Sequence, residues 1–375
     1  MIVFIIYFSF SNQLDLLYKV KGYVIKSDKS GFMIQTSFDN VYAFWDERVE
    51  LYSYVEIDQG GNFDLGGISY DFKTYLLSQN VSYIIKPLRI ISNNNSIKYQ
   101  ILNWINLQGE TFSSYVKALV FGISISDKTF QQSLKNLNIL HLFVISGFHI
   151  SILTKCLNFI FKKLKYNQEI SIFLLTIYCF WINFPIPITR ALLMMFIAYF
   201  NQKILKNCIN KVTIVLISMS LFLLFNVKNI YSSSFILTYY FVFFTSLFTS
   251  IKFKSNLIKY LVFILMMSLL SLFVNIKLNH SFSALLLVNN IVFGAIFSFI
   301  YPLIFFSWFI TPISRVIINA IDFVIRYVNR FNYSINLQYD FTVLIIFCCI
   351  VLMLILIYFC YKSNKPKYWI SLYLN

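Results

Sequence analysis

The sequence has 375 residues, of which 58% are hydrophobic, 19% aromatic and only 12% charged, and its net charge is +16. A soluble domain carries roughly a quarter charged residues, and apolar runs of this density cannot all be covered in one water-soluble core. The composition excludes an ordinary soluble domain and predicts a polytopic α-helical membrane protein, to which the alternation near the N-terminus adds a small all-β, OB-like extracytoplasmic domain. The basic excess is uneven. Residues 1–100 carry 9 Lys/Arg against 10 Asp/Glu, whereas residues 101–375 carry 22 against 5. In an apolar region, loop Lys and Arg set topology under the positive-inside rule; contact with nucleic acid is the competing use.

In chain order, Met1–Phe10 is apolar but too short to span a bilayer, and it lacks the basic start and cleavage site of a signal peptide. Residues 1–16 are expected to be a short anchor-like segment. Residues 17–91 read as an OB-like β domain. Alternating runs at 19–25, 31–38, 41–45 and 51–57 are separated by Gly, Asn, Asp and Ser. Tyr23, Phe32, Phe38, Tyr42, Phe44 and Trp45 could stack bases on such a barrel or fill its core. Its near-zero charge argues against strong phosphate binding. Residues 71–79 have helical spacing, a strand-like run from Val81 ends at Pro87, and residues 92–110 read as a linker.

A short amphipathic stretch follows at 111–125. Spans are then expected near 139–161, 169–184, 187–202, 212–227, 233–251, 257–275, 283–310 and 342–361, with a basic tail at 362–375. Loops at 162–168, 203–211 and 252–259 are basic and those between them are not. This alternation places the basic loops in the cytoplasm and the β domain outside. One misfit stands in this scheme: either residues 317–328 cross as a weak span, or the basic tail violates the rule.

Three groups could carry function. His141, Ser146, Gly147 and His149 lie in one apolar stretch, and polar groups at membrane depth are costly enough to suggest a role. On a continuous helix His141 and His149 stand about 80° apart with Gly147 opposite. They would either line a path or hydrogen-bond inside a bundle. At about 12 Å along the axis they would not share a metal. Arg190 follows the helix-breaking Phe184-Pro-Ile-Pro-Ile188, either to meet phosphate through its planar fork or to snorkel to the interface. Asn289 and Asn290 form a further polar cluster near Asn279–Ser283, expected to bind neighbouring helices. No catalytic residue, metal site or cofactor is expected. The six cysteines form no CxxC pair, and the order around Ser146 lacks a nucleophile elbow.

These stretches also carry a resemblance. His141-Leu-Phe-Val-Ile-Ser-Gly-Phe-His149 is similar to a His-Leu-x-x-Ile-Ser-Gly-x-His motif, and Thr189-Arg-Ala-Leu-Leu-Met194 to a Ser/Thr-x-x-Arg-Ala segment. Ala118–Gly122, Ser233–Thr238, Phe282–Pro302 and Gly67–Leu76 match further segments more loosely. The family they resemble is the competence family of the ComEC type, membrane channels for single-stranded DNA in natural transformation. The resemblance implies a competence-type transmembrane domain over 111–361 and a channel component with no covalent chemistry. It implies single-stranded DNA, membrane lipid and other DNA-uptake components as partners, with further copies of the chain as an alternative to a monomer. The His-x-His-x-Asp-His stretch of the metallo-β-lactamase-like domain that often follows is absent from the sequence, so no nuclease activity is expected of it. A transporter for another solute, and a membrane scaffold with a partner-binding β domain, are the alternative readings.

Overall fold

The computed structural model describes residues 19–336, apart from 29, 37–39, 48, 63–69, 80, 94–95, 126, 252–254, 280 and 284, together with residue 351. The expected anchor at 1–16, the expected span at 342–361 apart from residue 351, and the basic tail lie outside the described residues, as do Phe38 and His280. The described chain divides into two compact units, one of residues 19–107 with 219–237 and one of 108–218 with 238–336.

The first unit holds a closed five-stranded barrel. Its strands are β1 (Lys19–Ser27), β2 (Phe32–Gln35), β3 (Asn40–Ala43), β4 (Tyr54–Asn62) and β5 (Val81–Asn93), in the order β1-β2-β3-β5-β4. All neighbours are antiparallel except β3 and β5, which run parallel. The period-two pattern explains the core. Val20, Val24, Phe32, Ile34, Val41 and Val55 point inward and are buried, while Lys21 and Glu56 pair outside at 2.8 Å. A Cβ on Gly22 would stand 2.2 Å from the Gln35 carbonyl oxygen, so only glycine lets β1 approach β2 there. Helix α1 (Tyr70–Ser78) covers Met33 and Tyr42 with Leu76 and Phe72.

The aromatics thus divide. Phe32 and Tyr42 are core residues and Trp45 packs against the core, whereas Tyr23 is 46% exposed beside Tyr54. β5 runs through Pro87 to Asn93, further than the sequence indicates. Pro87 sits opposite Gln59 at a register shift, a position where the missing N–H costs the ladder little. Residues 97–107, read as linker, form α2 (Ile97–Leu107). In the same unit α1 packs against a 3-10 turn, Val227–Tyr231.

The second unit is helical. Helix α3 (Glu110–Phe121) is buried along most of its length, including Tyr115, Val116, Leu119 and Phe121, so the amphipathic stretch packs among other helices. Helix α4 (Lys128–Asn136) starts on Asp127, whose carboxylate accepts from the backbone N–H of Thr129 at 2.8 Å and Phe130 at 3.3 Å. Then follow α5 (Gly147–Ile160), α6 (Asn167–Trp181), α7 (Ile186–Lys203), α8 (Lys211–Phe225), α9 (Ser233–Ser250), α10 (Asn256–Asn279), α11 (Leu286–Ser307) and α12 (Thr311–Phe331). α8 and α9 each have residues in both units. The Pro-Ile-Pro interruption ends α6 through Asn183 and Phe184, both at positive φ, and starts α7 with Pro187 in its first turn. A short strand β6 (Ser281–Ser283) pairs antiparallel with β7 (Ser334–Asn336).

Two stretches, Leu140–Ile160 and Leu286–Ser307, are long and apolar enough to cross a membrane; Lys211–Phe225, Ser234–Ser250 and Asn256–Leu272 are apolar but shorter. The first is not the continuous helix that its apolar pattern suggests. A 3-10 turn at Leu140–Leu142 is followed by four non-helical residues, and α5 begins only at Gly147. The wheel that sets His141 and His149 on one helical face therefore does not apply.

Candidate functional site

The break before α5 is closed by its own side chains. Ser146 is extended and caps the helix. His149, three residues on and fully buried, turns back over the break. The Ser146 N–H donates to Nδ1 of His149 at 3.2 Å, and the Ser146 hydroxyl is also 3.2 Å from Nδ1. Nε2 lies 3.1 Å from the Leu142 carbonyl oxygen. Because Nδ1 accepts from an N–H, the proton sits on Nε2 and is donated to Leu142, which defines a neutral imidazole. One ring thus pairs an N–H and a C=O that the interrupted helix leaves without helical partners. Tyr301 of α11 packs edge-on against it, with ring centroids 4.4 Å apart.

His141 is placed differently. It lies in the 3-10 turn at a position that solvent reaches though protein surrounds it, and it bonds to the backbone of Asn138. Asn138 has positive φ, a conformation that asparagine tolerates better than most residues. Its carboxamide is buried with neither end hydrogen-bonded.

Gly147 faces Arg190 of α7. A Cβ at position 147 would stand 2.7 Å from Nη2 of Arg190 and 3.7 Å from Cβ of Ala191, so the glycine and the small alanine make room for the guanidinium. Arg190 is 5% exposed, its Nη1 donates to the Thr238 carbonyl of α9, and it lies 5.8 Å from the centroid of the Tyr239 ring. Its Nε is buried and unpaired, and among the described residues no carboxylate forms an ion pair with it. A cation so buried is expensive unless the site serves a purpose.

Asn289 and Asn290 occupy the start of α11. Asn289 donates to the Leu137 carbonyl at 3.1 Å, and Asn290 to the Ser271 hydroxyl at 3.4 Å. Asn332, which carries no signal in the sequence, caps the same α4 terminus by donating to the Asn136 carbonyl at 2.8 Å. A second polar group lies apart from the break. Asp322 pairs with Arg326 at 2.7 Å and accepts from the Tyr115 hydroxyl at 3.3 Å. Their i, i+4 spacing announces the ion pair, but Tyr115 is brought in only by packing. With Glu110 and Asp127 they line a cavity of about 70 Å³. Among the described residues no group of three His, Cys, Asp or Glu could hold a metal ion.

The motif stretches therefore converge. Ser146–His149, Arg190–Ala191 and Thr238 meet directly, Tyr301 closes on His149, and Gly122 lies 3.4 Å (as a built Cβ) from Ile145 in the break. The model of the family described as Competence protein matches residues 119–366, the region that contains all of these contacts. The chain belongs to the competence protein family. Among its relatives, "Uncharacterized protein MG316" of Mycoplasma genitalium is 29% identical over 258 residues, covering 65% of this chain and 66% of that protein. "ComE operon protein 3" of Bacillus subtilis is 23% identical over 352 residues, covering 79% of this chain. The match spans 45% of the Bacillus protein, so the chain covers less than two thirds of either relative's length. No solved structure matches the chain. In this competence-family core the Ser146–His149 and Arg190–Ala191 stretches thus meet at one break between helices.

Proposed function

We propose that the chain is a multi-pass component of the cytoplasmic membrane that passes a single strand of DNA into the cell during natural transformation. The observation that carries this reading is the convergence of the family's motif segments on one broken helix with a buried arginine. In lipid, non-helical backbone is tolerated only where protein or a water-filled path surrounds it, and a strand of phosphates needs such a path lined by donors, aromatics and cations.

Several features support the membrane setting. Helix surfaces that face away from protein carry large apolar side chains, such as Phe173, Phe180, Phe225 and Phe299, each more than 60% exposed. Exposed apolar surface on this scale suits lipid. Loop charges favour a cytoplasmic position for the ends of α5, α7 and α9, which sets the Val227–Tyr231 turn and the start of α11 outside in this reading. The packing of α1 on that turn supports an extracytoplasmic, OB-like barrel. The β6–β7 pairing brings the end of α12 to the start of α11. α12 then returns across the membrane, which favours the first solution of the topology misfit.

Within this reading His149 and Gly147 shape the break, His141 faces the path, and Arg190 is the buried cation beside it, available to phosphate when α5 and α9 part. Asn289 and Asn290 join helices at the outer end. Deleting the chain from its host and measuring nuclease-protected labelled DNA tests the function: uptake should be lost and return with the wild-type copy. Undiminished internalisation would overturn it.

A further inference from the structure

Helix α12 presents three distinct faces. Ser314, Ile318, Ile321, Asp322 and Ile325 are buried against the protein. Ile313, Val316, Phe323, Tyr327 and Phe331 form an exposed apolar stripe, each more than half exposed. Between the two, within about 60° of arc at 100° per residue, lie Arg315, Asn319, Arg326 and Arg330, all exposed. The basic stripe extends roughly 22 Å along the axis, at 1.5 Å per residue.

Both ends of the α11–α12 hairpin are held together. β6 pairs with β7, Ser283 bonds to Asn332, and Asn332 and Asn289 both cap the end of α4. If α11 crosses the bilayer, α12 crosses with it. Arginines along a crossing helix disfavour acyl chains, at about 2.5–3.5 kcal/mol for one at mid-membrane and less toward the ends, where the side chain snorkels. The apolar stripe beside them already suits the lipid. The basic arc must then face water or an anion.

We propose that the Arg315–Asn319–Arg326–Arg330 stripe of α12 lines the path of the strand and contacts its phosphates. The proposal rests on the DNA-passage reading and deepens it by naming a wall of the path. Charge complementarity favours a polyanion as occupant. Arg326 is bound to Asp322, and Arg315 donates to the Gln108 carbonyl at 3.2 Å and to its side-chain oxygen at 3.3 Å. Glu110 and Asp127 line the cavity next to Arg326. These carboxylates temper the stripe, and a conducting path needs contacts that are several and weak.

The test compares Asn319→Cys on the stripe with Val316→Cys on the apolar face, in the full chain and against the wild-type cysteine background. Cells are labelled with a membrane-impermeant thiol reagent, with and without a strand stalled in transit. Asn319→Cys should label and be protected at least several-fold by the strand, while Val316→Cys should not label. No labelling at 319, or labelling that the strand does not slow, overturns the proposal. In parallel, binding of a single-stranded oligonucleotide to the purified protein is measured against salt. Arg315→Gln with Arg330→Gln should flatten the log–log slope by about 1.4, at roughly 0.7 per phosphate contact for single strands; an unchanged slope also overturns it. Failure of the underlying reading looks different, because the wild-type chain would then neither bind a strand nor be needed for uptake.

Discussion

Nη2 of Arg190 lies 2.7 Å from the point where a Cβ on Gly147 would stand. The Ser-Gly and Arg-Ala stretches, more than 40 residues apart, are two sides of one contact. Gly147→Ala should therefore act through Arg190. We expect it to lower uptake about tenfold at unchanged protein level, and Arg190→Lys, which lacks Nη2, to relieve the clash in the double variant. A double-mutant cycle on uptake and on melting temperature measures the coupling, which for residues in contact runs to about 0.5–3 kcal/mol. Strict additivity would show that the two residues act separately.

His149 should be a positioning residue. Replacing it with alanine leaves the Leu142 carbonyl and the Ser146 N–H without their partner, at about 1–3 kcal/mol for each buried group left unpaired. His149→Ala should lower the melting temperature of the purified protein more than His141→Ala, at a position that solvent reaches and that does not bond across the break. Equal destabilisation by the two would contradict the assignment of roles.

The barrel core offers a check on the first unit. Phe32→Ala empties a site that is 1% exposed and should cost about 3–5 kcal/mol. Tyr23→Ala, at an exposed ring, should cost far less. Limited proteolysis of the full chain reports the difference as cleavage within residues 19–93.

The topology makes a sided prediction. Tyr333, 73% exposed, lies at the end of α12, and Phe309, 59% exposed, in the turn before it. Tyr333→Cys should react with an impermeant reagent added outside intact cells, and Phe309→Cys only after the membrane is opened. The reverse pattern would invert the hairpin.

Much of this was legible in the sequence because two periodicities are strong. Period-two alternation foretold the strands, and the apolar runs foretold α6 to α11 to within a few residues. The helix break was not legible, since Leu140–Ile160 is apolar enough overall to read as one span and its interruption depends on Ser146 and His149 bonding back across it. The burial of Arg190 was equally hidden, because Gly147, Thr238 and Tyr239 reach it from other helices. Asn332 and Tyr115 carry no local signal, and only packing gives them partners.

On the proposed function the strand passes through this chain. The most direct measurement is photo-crosslinking of a labelled strand, blocked at its trailing end so that it stalls with its leading part protected from external nuclease. A covalent adduct with this chain is expected, mapping to the stripe of α12 or to the break around Ser146. A protected strand that crosslinks to other membrane proteins, and never to this one, would contradict it.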